Sequence, residues 1–204
     1  MKNLFLTSSF AEVADLFARF EENVFQSKTV TFIPTASLHE EVTFYVGAGK
    51  DALEKLGLVI DVLEVSTATD EEIIKKLTNN DYIYVSGGNT FFLLQELKRT
   101  KADKAIVEQV ASGKIYIGES AGSIILSPNI EYVKEMDDFR AAQELESYEA
   151  LGLIDFYPLP HYTNFPFQEV TESIVSKFTG KIELRPFSNT QAIQIKEGNI
   201  EVVG

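Results

Sequence analysis

Apolar runs of strand length alternate along this chain with segments whose apolar residues recur at helical spacing. Residues 3–7 form the first run, and residues 10–20 follow with Val13, Leu16, Phe17 and Phe20 on one helical face. Residues 29–33 read as a second strand ending at Pro34, 41–56 as a helix closed near Gly57, and 58–65 as a third strand. Asp70 is expected to cap the next helix, whose first turn is acidic. Residues 81–85 give a fourth strand that opens directly onto Ser86, Gly87, Gly88 and Asn89. Helical patterns at 91–97 and 103–111 lead to a fifth strand at 114–117, followed by Gly118.

Strands and helices alternating at this spacing predict an α/β fold of three layers, a mostly parallel sheet flanked by helices. The tail breaks the pattern. Residues 182–184, 191–195 and 200–203 are β-like, and Glu197, Gly198 and Asn199 suit a hairpin turn, so antiparallel strands are expected near the C-terminus. The polar, acidic stretch 131–148 fits neither period and reads as a flap or an irregular loop with a helix. No linker or repeat divides residues 1–204, and one domain is expected.

Composition narrows the function classes. Eighteen Lys and Arg against 31 Asp and Glu leave a net charge of -13, which repels phosphate backbones and argues against nucleic acid as a partner. The absence of cysteine removes disulfides, thiolate catalysis and cysteine metal sites. Lys2 and the short run Leu4 to Leu6, followed by Glu12 and Asp15, do not fit a secretory leader, and no run is long enough for a membrane span. A cytoplasmic protein, monomeric or homodimeric, is expected.

The chemistry concentrates at Gly118, Glu119, Ser120, Ala121 and Gly122, a G-x-S-x-G pattern between a strand and a helix. Such a turn holds the serine in a strained conformation with its hydroxyl exposed above the sheet. Ser120 is the candidate nucleophile, and the N–H of Ala121, at the start of the following helix, is one natural oxyanion donor. The alternative is a glycine-rich turn with an incidental serine. The Ser86 to Thr90 turn also leaves a strand for a helix, and adjacent strand ends share one crevice. Gly88 is the candidate second donor, with Asn89 beside it; a tight turn capped by Asn89 or Thr90 is the plainer reading. The lysine and spacing of a phosphate loop are missing.

A serine nucleophile needs a base, and the chain has two histidines, His39 and His161. His161 follows an apolar run and two stiffening prolines, Pro158 and Pro160, which places it at a strand's carboxyl end; a satisfied structural histidine is the plainer alternative. His39 precedes two glutamates at a helix start and is expected to face solvent.

Three segments together, Ser86 to Phe91, Tyr116 to Gly122 and Pro160 to Asn164, resemble the peptidase E and cyanophycinase-like family of serine peptidases in content, order and interval. The resemblance implies a class I glutamine amidotransferase-like fold with serine in place of cysteine. It implies Ser120 as nucleophile, His161 as base, and Gly88 and Ala121 as oxyanion donors. A small peptide is the implied substrate, with N-terminal aspartate removal the family's best-known activity, and neither metal nor organic cofactor is implied. Two departures stand out. The position of the family's triad acid is occupied by Asn189, with Glu183 and Asp155 as nearby alternatives. The arginine expected after the histidine, suited to gripping an aspartate side chain, is missing: residues 165–173 hold Glu169 and Glu172 instead. Aspartyl-dipeptide cleavage is therefore expected to be weak. Two other readings stay open: an esterase of the α/β-hydrolase type, with Asp137, Asp138 or Asp155 as its acid, and a binding or regulatory relative without catalysis.

Overall fold

The computed structural model describes residues 2–21 and 25–204. Strand β1 (Asn3–Thr7) is followed by α1 (Phe10–Glu21), β2 (Thr29–Ile33), α2 (Phe44–Lys55), β3 (Val59–Val62), α3 (Asp70–Asn79) and β4 (Tyr82–Val85). Helices α4 (Thr90–Arg99) and α5 (Ala102–Ala111) lead to β5 (Ile115–Glu119) and the short α6 (Ala121–Ile124). The chain closes with β6 (Tyr157–Leu159), α7 (Gln168–Phe178), β7 (Leu184–Pro186), β8 (Ala192–Lys196) and β9 (Asn199–Val203).

The main sheet runs in the order β3-β2-β4-β5-β1-β8-β9. The first five strands are parallel, and β8 and β9 complete one edge in antiparallel pairing. Side chains alternate across a strand, so neighbouring residues serve opposite faces. Leu4 and Leu6 enter one apolar cluster with Leu93, Leu97 and Ile106 of α4 and α5, whereas Phe5 enters another with Phe10, Phe17 and Leu53 of α1 and α2. Both faces are thereby covered, as a parallel sheet requires. A third cluster joins Phe91, Ile124, Tyr132, Val133, Leu159 and Ile174, and packs the late segments against α4 and α6.

Several expectations are corrected. Thr69 rather than Asp70 caps α3: its hydroxyl accepts the Glu72 N–H at 3.2 Å, and Asp70 is the first helical residue. The β-like residues near 184 do not join the antiparallel edge. They form β7, which pairs in parallel with β6 in a separate two-stranded sheet. His161 therefore follows a strand, as expected, but not one of the main sheet. The 131–148 stretch is an irregular loop with two 3₁₀ turns, Glu131–Val133 and Phe139–Ala141, pinned by buried Tyr132 and Val133. His39 is exposed, and its ring lies 4.7 Å from that of Phe92.

Candidate active site

The carboxyl ends of β4, β5 and β1 lie side by side, and each supplies one wall of the site. At the end of β5 the backbone turns through Ser120, whose φ of 50° and ψ of -108° fall outside the ordinary basins. Hydrogen bonds fix this strained residue. Its N–H donates to the Thr7 carbonyl at 2.9 Å, and its carbonyl accepts from Ser123 and Ile124 at 2.8 and 3.0 Å. The Ser123 hydroxyl shares its one proton between the carbonyls of Thr7 and Gly118 and accepts the Thr7 N–H, stitching β1 to the turn. The glycine at 122 is a steric necessity: a Cβ there would stand 2.1 Å from the Val85 carbonyl oxygen.

The turn after β4 approaches from the other side. A Cβ built on Gly87 would meet Ser120 Cβ at 3.2 Å, so this backbone lies directly against the elbow. Gly88 has φ of +133°, and a side chain there would collide with the Ala36 carbonyl at 2.2 Å. Among the described residues, the amides of Gly88 and Ala121 donate no hydrogen bond within the protein, and both remain available to a ligand. Asn89 is differently placed. Its Oδ1 accepts the Phe92 N–H at 2.9 Å as the cap of α4, its Nδ2 donates to the Asp138 carbonyl, and its amide donates to Ala36. Its side chain is thus engaged at both ends and braces the turn.

His161 comes from the loop after β6, with φ of 62°. Its Nε2 lies 2.9 Å from Ser120 Oγ, and its Nδ1 lies 2.7 Å from Asn189 Oδ1. With a carbonyl oxygen facing Nδ1, that nitrogen carries the proton and Nε2 presents its lone pair to the serine hydroxyl. The ring stacks on Phe167 at 4.6 Å and 23°. Burial lowers the His161 pKa below its ordinary value, and the Asn189 bond opposes this only in part. Two further contacts hold the loop. The Ser8 hydroxyl accepts the His161 N–H at 2.9 Å and shares its proton between the Phe187 and Ser188 carbonyls, while Asn164 Oδ1 accepts the Asn189 N–H at 2.8 Å.

The other candidate acids are engaged elsewhere. Glu183 pairs with Arg185 at 2.6 Å, Asp138 pairs with Arg140 at 2.8 Å, and Asp155 is exposed. Asp137 accepts the Thr90 N–H at 2.9 Å, and burial raises its pKa to about 6. None of these carboxylates touches the imidazole, which removes the acid needed by the α/β-hydrolase reading. The acids nonetheless colour the crevice. The ring edge of Tyr45 lies against Gly87, and its hydroxyl is raised above its ordinary pKa first by burial and then by Glu40, Glu119 and Asp137. Ser8, Glu119, Ser123 and Phe167 were not singled out by sequence reasoning. A polar pair, Thr7 and Ser8, at the end of a buried strand was the available signal for the first.

A hydroxyl hydrogen-bonded to Nε2 of an imidazole, beside the unspent amides of Ala121 and Gly88, can form an acyl intermediate. The model of peptidase family S51 matches residues 4–203. The chain belongs to peptidase family S51. An uncharacterized peptidase of Listeria monocytogenes is 60% identical over 196 residues, covering 96% of this chain and 95% of that protein. Another from Pasteurella multocida is 53% identical over 195 residues, covering 96% and 94%. Peptidase E of Shewanella amazonensis is 37% identical over 134 residues, which span 66% of this chain and 54% of its own. A crystal structure of a candidate peptidase E from Listeria monocytogenes superposes with a TM-score of 0.96 at 57% identity, covering 100% of this chain and 98% of that one. A peptidase from an acI-B1 Actinobacterium, with a TM-score of 0.73 and 23% identity over 100% of this chain and 88% of its own, shares the fold. This S51 chain is a serine peptidase with a class I glutamine amidotransferase-like architecture. Its described residues include no helix long and apolar enough to cross a membrane. They gather no group of three or more His, Asp or Glu side chains suited to a metal ion.

Proposed function

We propose that this S51 member hydrolyses small peptides through an acyl-enzyme on Ser120, with His161 as general base and acid and Asn189 as the group that orients the ring. The observation that carries this reading is the continuous line from Ser120 Oγ to His161 Nε2 at 2.9 Å and from Nδ1 to Asn189 at 2.7 Å. Oγ attacks the scissile carbonyl and its proton passes to Nε2. The oxyanion is met by the amides of Ala121 and Gly88. The imidazolium then protonates the leaving amine, and a water activated by the same nitrogen releases the acyl group.

Asn189 holds the productive tautomer but brings no charge to the imidazolium, so the base is weaker than one backed by a carboxylate. The substrate side is acidic. Glu40 and Asp137 act on Tyr45, and the segment after His161 carries Glu169 and Glu172 and no arginine or lysine. Such a field opposes an aspartate side chain and suits a neutral N-terminal residue. A dipeptide-library hydrolysis screen, wild type beside Ser120→Ala, tests this. Turnover confined to wild type and weak on Asp-Leu is expected. Efficient Asp-Leu cleavage contradicts the specificity, and equal turnover by Ser120→Ala contradicts the mechanism.

A further inference from the structure

Glu119, the residue before Ser120, points to the opposite face of the sheet and is only 2% exposed. A carboxylate so deep and so close to a site that develops negative charge needs a reason to be there. Each of its oxygens accepts a hydrogen bond from a separate element. Oε1 accepts the N–H of Phe10, the first residue of α1, at 2.9 Å, and Oε2 accepts the Tyr84 hydroxyl of β4 at 2.8 Å. Burial raises the Glu119 pKa. The Phe10 amide, the Tyr84 hydroxyl and a backbone contact from Gly87 act against burial and favour the charged form. The surroundings are shaped to fit this cluster. The Tyr84 ring stacks on Phe32 at 4.8 Å, and a Cβ on Gly49 of α2 would strike the Tyr84 hydroxyl at 2.6 Å.

We propose that Glu119 is a positioning residue for catalysis, tying the glycine turn after β4 to the elbow so that the second oxyanion donor keeps its place. Tyr84 and Gly87 belong to the one segment that carries β4 into that turn, and Gly87 abuts Ser120. A carboxylate that holds Tyr84 in this segment leaves the Gly88 amide as the turn's unspent donor, because the Asn89 amide is held by Ala36. Glutamine replaces it poorly: with its oxygen on the fixed Phe10 N–H, its amide nitrogen meets the Tyr84 hydroxyl, which must turn from donor to acceptor, and the charge that draws both donors in is lost. The inference rests on the roles of Ser120 and Gly88 given above.

Hydrolysis of 4-nitrophenyl acetate and of its thiono analogue, O-4-nitrophenyl thioacetate, separates a role in the oxyanion site from a general structural one. Sulfur accepts hydrogen bonds poorly, so a displaced donor costs the oxygen ester far more than the thionoester. Glu119→Gln is expected to lose about tenfold or more in kcat on the oxygen ester, with KM within about twofold, and to lose less than about threefold on the thionoester. Equal losses on both esters, or none on either, overturn the proposal while leaving Ser120 its role. Ester turnover by Ser120→Ala at the wild-type rate would instead remove the nucleophile on which it rests. Should Glu119→Gln fail to fold, Tyr84→Phe decides: it keeps the ring packing and deletes one donor. A narrowed oxygen-to-thiono ratio in that variant supports the proposal, and an unchanged ratio overturns it.

Discussion

The two halves of the site are built in opposite ways. The elbow is made by consecutive residues: β5, Ser120 and α6 follow one another, and Ser123 locks the turn to β1. The half carrying His161 is assembled from segments far apart in sequence. Ser8 bonds across 153 residues to the His161 amide, and Asn189 reaches the ring across 28. A local turn fails mainly through sterics at its own residues, whereas an assembled base fails when a distant partner is removed.

Mutations can break or sharpen this contrast. The largest effect is expected from Ser120→Ala, which should lower kcat at least about a thousandfold on any peptide the wild type cleaves, with an unchanged circular dichroism spectrum. Gly122→Ala comes next, as a test of the local half. Its methyl group has no room beside the Val85 carbonyl, and a stability loss near the upper end of about 1–3 kcal/mol is expected. Thermal unfolding should report it as a fall in Tm of roughly 6–12 °C.

Ser8→Ala tests the assembled half. It leaves the His161 N–H without its acceptor at a cost of about 1–3 kcal/mol. Because that contact also orients the base, kcat/KM should fall about tenfold while the elbow stays intact; a loss of stability with full activity would show that Ser8 braces only the fold. The smallest effect is on pH dependence. Burial lowers the His161 pKa, so the base form survives to below pH 6.5 and the acid limb of kcat/KM should lie there. Asn189→Asp places a negative charge beside Nδ1, favours the imidazolium, and should move that limb upward by about one unit or more. A limb that does not move would separate Asn189 from the titrating ring.

The same contrast explains what could be read from sequence. The elbow and the glycine turn were legible because each is a contiguous pattern whose sterics are written locally. The five parallel strands followed from alternation alone, with ends displaced by a residue or more, as at β3 and β5. The pairing of β7 with β6 was not legible, since three-residue strands carry no periodicity and their register depends on tertiary neighbours. Asn189 emerged only through resemblance, because nothing local marks an asparagine as an imidazole's partner. Glu119 was visible as a letter but not as a buried acceptor, since its donors Phe10 and Tyr84 lie on other elements. The 131–148 loop resisted assignment because single anchors, Tyr132 and Val133, bury it instead of a repeating face.

Activation of Ser120 by His161 underlies every catalytic step, and covalent labelling reads it directly. Wild-type protein treated with a fluorophosphonate and analysed by peptide mass spectrometry should carry a single adduct on Ser120, with labelling slowed at least about a hundredfold in His161→Ala. An adduct on another residue, or labelling undiminished in His161→Ala, would contradict it.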